Sequence, residues 1–152
     1  GKRVWLVGIS LGGVEQRTEA AEHPEDVEGI VLLAPFLGTG DALDEVEAAG
    51  DLASWDPAGD AASAEERGLW FRLWEEIQQL TAEGGEGPEI VLGYGSDDRL
   101  ARSHRLLARE LPEGRVFTVE GGHRWGAWKA LWDEVTAAGF PACGSAVSEP
   151  AV

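Results

Sequence analysis

Four short apolar runs, set between stretches of helical spacing, organise this chain. Val4-Trp5-Leu6-Val7 is continuous rather than alternating, as expected of a strand covered on both faces in a parallel sheet. Glu28 to Ala34 is a second such run, closed by Pro35. Glu89 to Tyr94, with Ile90-Val91-Leu92 at its heart, is a third, and Arg115 to Val119 is a fourth. Between the first two, Leu11 to Glu22 reads as helix. It ends near His23-Pro24, because the residue before a proline avoids the helical region. Strand, helix and strand on short links predict a right-handed parallel crossover.

From Leu37 to Pro88 the pattern predicts no strand. Asp41 to Ala49 lies between glycines and predicts a short helix, while Asp51 to Asp60 carries proline, glycine and aspartate and reads as loop. The cleanest helical spacing runs from Ala64 to Leu80. Leu69, Trp70, Leu73, Trp74, Ile77 and Leu80 share one face there, with Glu75, Glu76 and Gln78 opposite. Glu83 to Pro88 is a turn-rich linker. Arg99 to Leu111 predicts a helix with Leu100, Leu106, Leu107 and Leu111 inward, stopped by Pro112. Trp125 to Ala138 predicts a last helix that turns Trp128, Leu131, Trp132 and Val135 inward. The implied fold class is α/β, a parallel sheet of about four strands flanked by helices. One domain covers 1–138, with a helical stretch free of strands at 37–88, and the Ala, Gly, Ser and Pro-rich residues 139–152 form a loosely ordered tail.

Composition narrows the partners. An apolar fraction of 43% and seven tryptophans in 152 residues specify a folded globule rather than a disordered chain. A formal charge of −16 repels phosphate backbones and anionic lipid surfaces, which argues against nucleic-acid and membrane partners. No apolar run approaches the roughly 18 residues of a membrane span. With no signal-peptide pattern at the start, a cytoplasmic location is expected. Cys143 is the sole cysteine, so neither an internal disulfide nor a multi-cysteine metal site is available, and it reads as a silent thiol.

Candidate chemistry follows three of the strands. Gly8-Ile9-Ser10-Leu11-Gly12 reads G-x-S-x-G, the nucleophile elbow, in which a strand turns sharply into a helix with serine at the tip. Glycines are expected on both sides because a side chain there would collide with the neighbouring strand or the helix start. Gly93-Tyr94-Gly95-Ser96-Asp97-Asp98 follows the third strand and Gly121-Gly122-His123 the fourth. Serine, acid and histidine therefore stand in order at carboxyl ends of parallel strands, where catalytic groups of open α/β sheets gather. A serine hydroxyl needs a base to take its proton as it attacks a carbonyl, and histidine can accept that proton and return it to the leaving group. An aspartate fixes the imidazole tautomer, and the amide of Leu11 at the helix start can hold an oxyanion.

Other readings are weaker. A dinucleotide-binding loop needs glycine where Ser10 stands, and a phosphate loop needs a Gly-Lys-Ser/Thr that is missing. Asp41 and Asp44 offer an alternative acid, but loop solvation explains them as well. His23, before a proline, and His104, among Arg102, Ser103 and Arg105, read as ordinary residues. The Trp70 and Trp74 stripe reads as core packing, with an acyl-binding cleft as the sharper alternative.

Val4–Gly13, Val27–Phe36, Ile90–Leu111 and Arg115–Trp132 together resemble the C-terminal half of a bacterial α/β-hydrolase-fold serine hydrolase of the esterase and lipase kind. The resemblance implies Ser10 as nucleophile, His123 as base and Asp98 as acid, with Leu11 giving one backbone oxyanion donor and Gly8 and Gly12 framing the elbow. The family's Gly-x-x-Asp pattern, counted from Gly95, selects Asp98 over Asp97. A cap is commonly inserted where residues 37–88 lie. A small-molecule acyl substrate is implied, with no metal and no organic cofactor. The family's fold also has strands ahead of the elbow, and Gly1 stands only a few residues before the first strand here. The second oxyanion donor is therefore expected outside this sequence, and the elbow strand should present an unpaired edge that can support a homo-oligomer. The alternative to an enzyme is a truncated or degenerate hydrolase fragment acting as a binding module.

Overall fold

A computed structural model describes residues 3–14, 22, 23, 25–82 and 87–141. Its strands are β1 (Val4–Ile9), β2 (Val27–Leu33), β3 (Glu89–Gly95) and β4 (Val116–Val119). The helices among the described residues are α1 (Asp41–Ala49), α2 (Ala64–Arg67), α3 (Leu69–Thr81), α4 (Ala101–Ala108) and α5 (Trp125–Ala137). The strands pair in parallel in the order β1-β2-β3-β4. Helical backbone opens at Gly12–Val14 and recurs at Glu22, while most of the helix expected from Leu11 to Glu22 lies outside the described residues. So do residues 83–86 of the linker, Cys143 and the tail beyond 141.

The continuous apolar runs have two faces to fill. On one, Ile30, Leu32 and Leu92 pack with Leu73, Trp74 and Ile77 of α3 and with Leu106 and Leu107 of α4. On the other, Val31, Leu33 and Val91 meet Leu131 and Val135 of α5. From Ile30 to Leu33 successive residues thus belong to different cores, which is why this part of β2 shows no polar alternation. The stretch 37–88 supplies α1 to α3, and α3 shares the first of these cores. Trp74 is fully buried and donates its indole N–H to the Leu37 carbonyl at 3.0 Å, so it packs the core. Trp70 is half-buried and meets Phe36 edge-on at 5.2 Å.

Two expected helices are shorter than their spacing predicts. The one over Ala64 to Leu80 is broken at Gly68, whose φ of 119° and ψ of 176° cannot continue a helix. Leu69 therefore begins a new helix and is 61% exposed instead of facing the core. The one over Arg99 to Leu111 is regular only across Ala101–Ala108, with Arg99 and Leu100 in the turn that carries the acid loop into it.

The register aligns the carboxyl ends of the strands. Ile9 pairs with Leu33, Leu33 with Gly93 and Gly93 with Phe117, so the loops after β1, β3 and β4 leave the sheet along one edge. Among the described residues β1 has a neighbour on one side only. Val4 and Val7 are 48% and 40% exposed. Beside this edge lies an apolar groove of about 400 Å³ lined by Val7, Ile9, Leu33, Trp125, Trp128 and Trp132. Among the described residues no helix is long and apolar enough to cross a membrane.

Candidate active site

Ser10 stands at φ 52°, in the left-handed region, where an L residue with a side chain is strained by roughly 1–2 kcal/mol. Its surroundings hold it there. The Ser10 amide donates to the Leu33 carbonyl at 2.9 Å, and its own carbonyl accepts from Gly13 at 3.1 Å and Phe36 at 3.0 Å. Leu11 follows at the start of the helical backbone, where amides lack acceptors within the helix, and it is 66% exposed.

The elbow's two flanking glycines are not equivalent. A Cβ on Gly8 would come within 2.7 Å of the Gly13 Cα and 2.9 Å of the Gly12 oxygen, so the helix start crosses directly over it. A Cβ on Gly12 would meet no atom within 4 Å among the described residues. Among the described residues the expected collision at Gly12 is therefore absent. The second crowded position is Gly13, where a Cβ would lie 2.9 Å from the Pro35 Cβ. Thermal melting should separate the two. Gly8→Ala is expected to lose about 1–3 kcal/mol through overpacking. Gly12→Ala should be neutral or gain up to about 1 kcal/mol from helix propensity. Equal melting temperatures for Gly8→Ala and the parent would contradict the close crossing.

The acid and histidine loops are tied to each other by backbone. Ser96 N–H donates to the Val119 carbonyl at 2.9 Å and Asp97 N–H to the Gly121 carbonyl at 3.0 Å. The approach is so close that a Cβ on Gly95 would collide with the Gly121 carbonyl oxygen. Gly121 itself has φ 132°, which glycine accepts without strain.

These loops bring Ser10, His123 and Asp98 together. Ser10 Oγ lies 2.7 Å from His123 Nε2, and His123 Nδ1 lies 2.9 Å from Asp98 Oδ2. The Asp98 side chain is fully buried and that of His123 is 12% exposed. Asp98 Oδ1 accepts from the Leu100 amide at 2.8 Å, so each carboxylate oxygen has a donor. A carboxylate only accepts, which assigns the imidazole proton to Nδ1 and leaves Nε2 free to accept from the serine hydroxyl. Trp128 meets the His123 ring edge-on, with centroids 5.1 Å apart.

The remaining candidates separate from this chain. Asp97 is exposed and its carboxylate is 3.4 Å from Ser96 Oγ. Asp44 is exposed and bonds Arg102 at 2.7 Å, and Asp41 is also exposed. His23, Glu25 and Asp26 bring one ligand atom each within 4.8 Å of one another in an exposed turn ahead of β2, and nothing else there points to an ion. The burial of His104 is what sequence reasoning missed. The residue is completely buried, with Nε2 2.8 Å from the Pro35 carbonyl oxygen and its ring 5.2 Å from that of Tyr94. The signal was present, since position 104 falls in the same helical stripe as Leu100, Leu107 and Leu111.

No family model matches the sequence, and no curated protein matches it. Solved structures do. A ferulic acid esterase superposes with a TM-score of 0.54 at 16% identity, over 87% of this chain and 49% of its own. An S-formylglutathione hydrolase from Staphylococcus aureus gives 0.52 at 15%, over 88% and 50%. An alpha/beta hydrolase enzyme from the metagenome of lagoon sediments at Mar Chica, Morocco, gives 0.53 at 19%, over 91% and 64%. The chain spans about half the length of the first two. Likeness at this level of identity establishes the fold, which is part of an α/β-hydrolase fold.

Proposed function

We propose that this partial α/β-hydrolase fold carries the nucleophile, base and acid of a serine hydrolase that cleaves an ester or similar acyl bond through an acyl-serine intermediate. The observation that supports it is the unbroken series of hydrogen bonds from Ser10 Oγ through His123 to the buried Asp98. In the first step Ser10 Oγ attacks the acyl carbon while its proton passes to His123 Nε2. Asp98 stabilises the imidazolium through Nδ1–H, and the Leu11 amide is one donor to the oxyanion. His123 then gives the proton to the leaving alcohol, and water repeats the sequence to release the acid and regenerate Ser10. Residues 1–138 act in this reading as one domain, with 37–88 as its cap-bearing insertion.

The test is reaction of the chain with a fluorophosphonate, read by intact mass and peptide mapping. One adduct on the peptide that contains Ser10 is expected. An intact mass unchanged after prolonged exposure counts against an activated serine.

A second reading rests on β1, whose outer edge pairs with no strand among the described residues and which, with the neighbouring apolar groove, is a surface that a further chain could cover. In that reading the chain is a binding module or pairs with a second copy through β1. Size-exclusion chromatography with light scattering separates the two, since a monomer at all micromolar concentrations argues against self-association.

A further inference from the structure

His104 has no role in the chemistry above, yet its place is unusual for a core residue. It is fully buried, Nε2 faces the Pro35 carbonyl oxygen at 2.8 Å, and Nδ1 has no hydrogen-bond partner among the described residues. A leucine or phenylalanine would fill such a position without bringing an unpartnered Nδ1 into the core. What the imidazole adds is one directed bond between α4 and the turn that follows β2.

That bond completes a circuit. Starting from the nucleophile, Ser10 Oγ meets His123 Nε2, and His123 Nδ1–H donates to Asp98 Oδ2. Asp98 Oδ1 accepts from the Leu100 amide, and the Leu100 carbonyl accepts from the His104 amide at 3.3 Å. His104 Nε2 then reaches the Pro35 carbonyl, and the amide of the next residue, Phe36, donates back to the Ser10 carbonyl at 3.0 Å. Ser10 and Ala34, at φ 52° and 47°, are the two non-glycine residues held in the left-handed region among those described, and both lie on or beside this circuit. Strained backbone persists only where its surroundings over-determine it.

We propose that His104 is a positioning residue, whose Nε2–H bond to Pro35 locks the acid-bearing loop to the elbow turn and so holds Asp98 and Ser10 at the spacing that His123 bridges. The proposal deepens the hydrolase reading and rests on it for its effect on rate, but the link itself is independent of turnover. Burial pushes the His104 pKa below the ordinary histidine value, so the ring is neutral near neutral pH and carries one proton. The carbonyl acceptor requires that proton on Nε2, which matches the unpartnered Nδ1.

Two measurements test it. Long-range proton–nitrogen spectra of the isotope-labelled full chain should show His104 as the Nε2–H tautomer, with a slowly exchanging proton. They should also show a downfield His123 Nδ1–H signal from the bond to Asp98. In folded His104→Leu that His123 signal should broaden or vanish, and fluorophosphonate labelling should slow roughly 10- to 100-fold. His104→Gln, whose amide can donate to Pro35, should recover both. An Nδ1–H tautomer in the parent chain overturns the proposal, as does an unchanged His123 signal in folded His104→Leu. If His104→Leu does not fold, the parent tautomer and the His104→Gln spectrum decide it. A parent chain that never labels, but whose His123 signal responds to His104, sinks the hydrolase reading and leaves the link standing.

Discussion

In an active form of the proposed hydrolase, Ser10→Ala is expected to lower hydrolysis of a small activated ester by a factor on the order of 10⁶. The change removes the atom that forms the acyl bond, so only transition-state stabilisation by the oxyanion donors and substrate binding remains. His123 loses its partner at 2.7 Å but keeps its bond to Asp98, so the imidazole stays oriented. Alanine at φ 52° carries the same backbone strain as serine. Folding stability should therefore change by about 1 kcal/mol, the ordinary worth of one hydrogen bond. Initial rates and thermal melts on the same preparations check both halves. Turnover in Ser10→Ala within tenfold of the parent would end the assignment of Ser10.

Asp98→Asn should cost on the order of 10⁴ in turnover, while Asp97→Asn changes it by no more than about twofold. The difference follows from acceptor count. Asp98 accepts with both oxygens, from His123 Nδ1–H and from the Leu100 amide. Asparagine offers one oxygen. With that oxygen kept on the Leu100 amide, its NH₂ faces His123 Nδ1 and forces the proton onto Nε2, where the imidazole can no longer take one from serine. The opposite orientation sets two donors against each other at Leu100. Asp97 is exposed, and its neighbour is Ser96 Oγ at 3.4 Å, a contact that water can take over. Equal losses in the two variants would mean that the Gly-x-x-Asp spacing had selected the wrong carboxylate.

Much of the fold was legible because its signals are local. Short, mainly apolar runs marked the four strands. The elbow pattern marked Ser10, and the Gly-x-x-Asp pattern of the family this chain resembles, counted from Gly95, pointed to the aspartate that the structure bonds to His123. Less was legible where a single residue interrupts a period. Gly68 sits inside an otherwise unbroken helical stripe, and only its backbone angles split α2 from α3 and expose Leu69. Gly12 and Gly13 look alike in sequence, yet only the path of the Pro35 turn decides which of them is crowded. His104 was read by its polar neighbours Arg102, Ser103 and Arg105, when its place in the helical stripe was the better guide.

By itself, the sequence determined the order of elements, the parallel sheet and the succession of serine, aspartate and histidine after three of its strands. Those follow from side-chain periodicity and from turn chemistry within a few residues. Tertiary structure alone decided that Ser10 and His123, 113 residues apart, meet at 2.7 Å, because that distance depends on strand register summed across the sheet. It also decided that Gly95 must lack a side chain beside Gly121 and that His104 ties α4 to the turn behind Ser10. Such contacts join segments that share no local pattern, and they exist only once the strands are aligned.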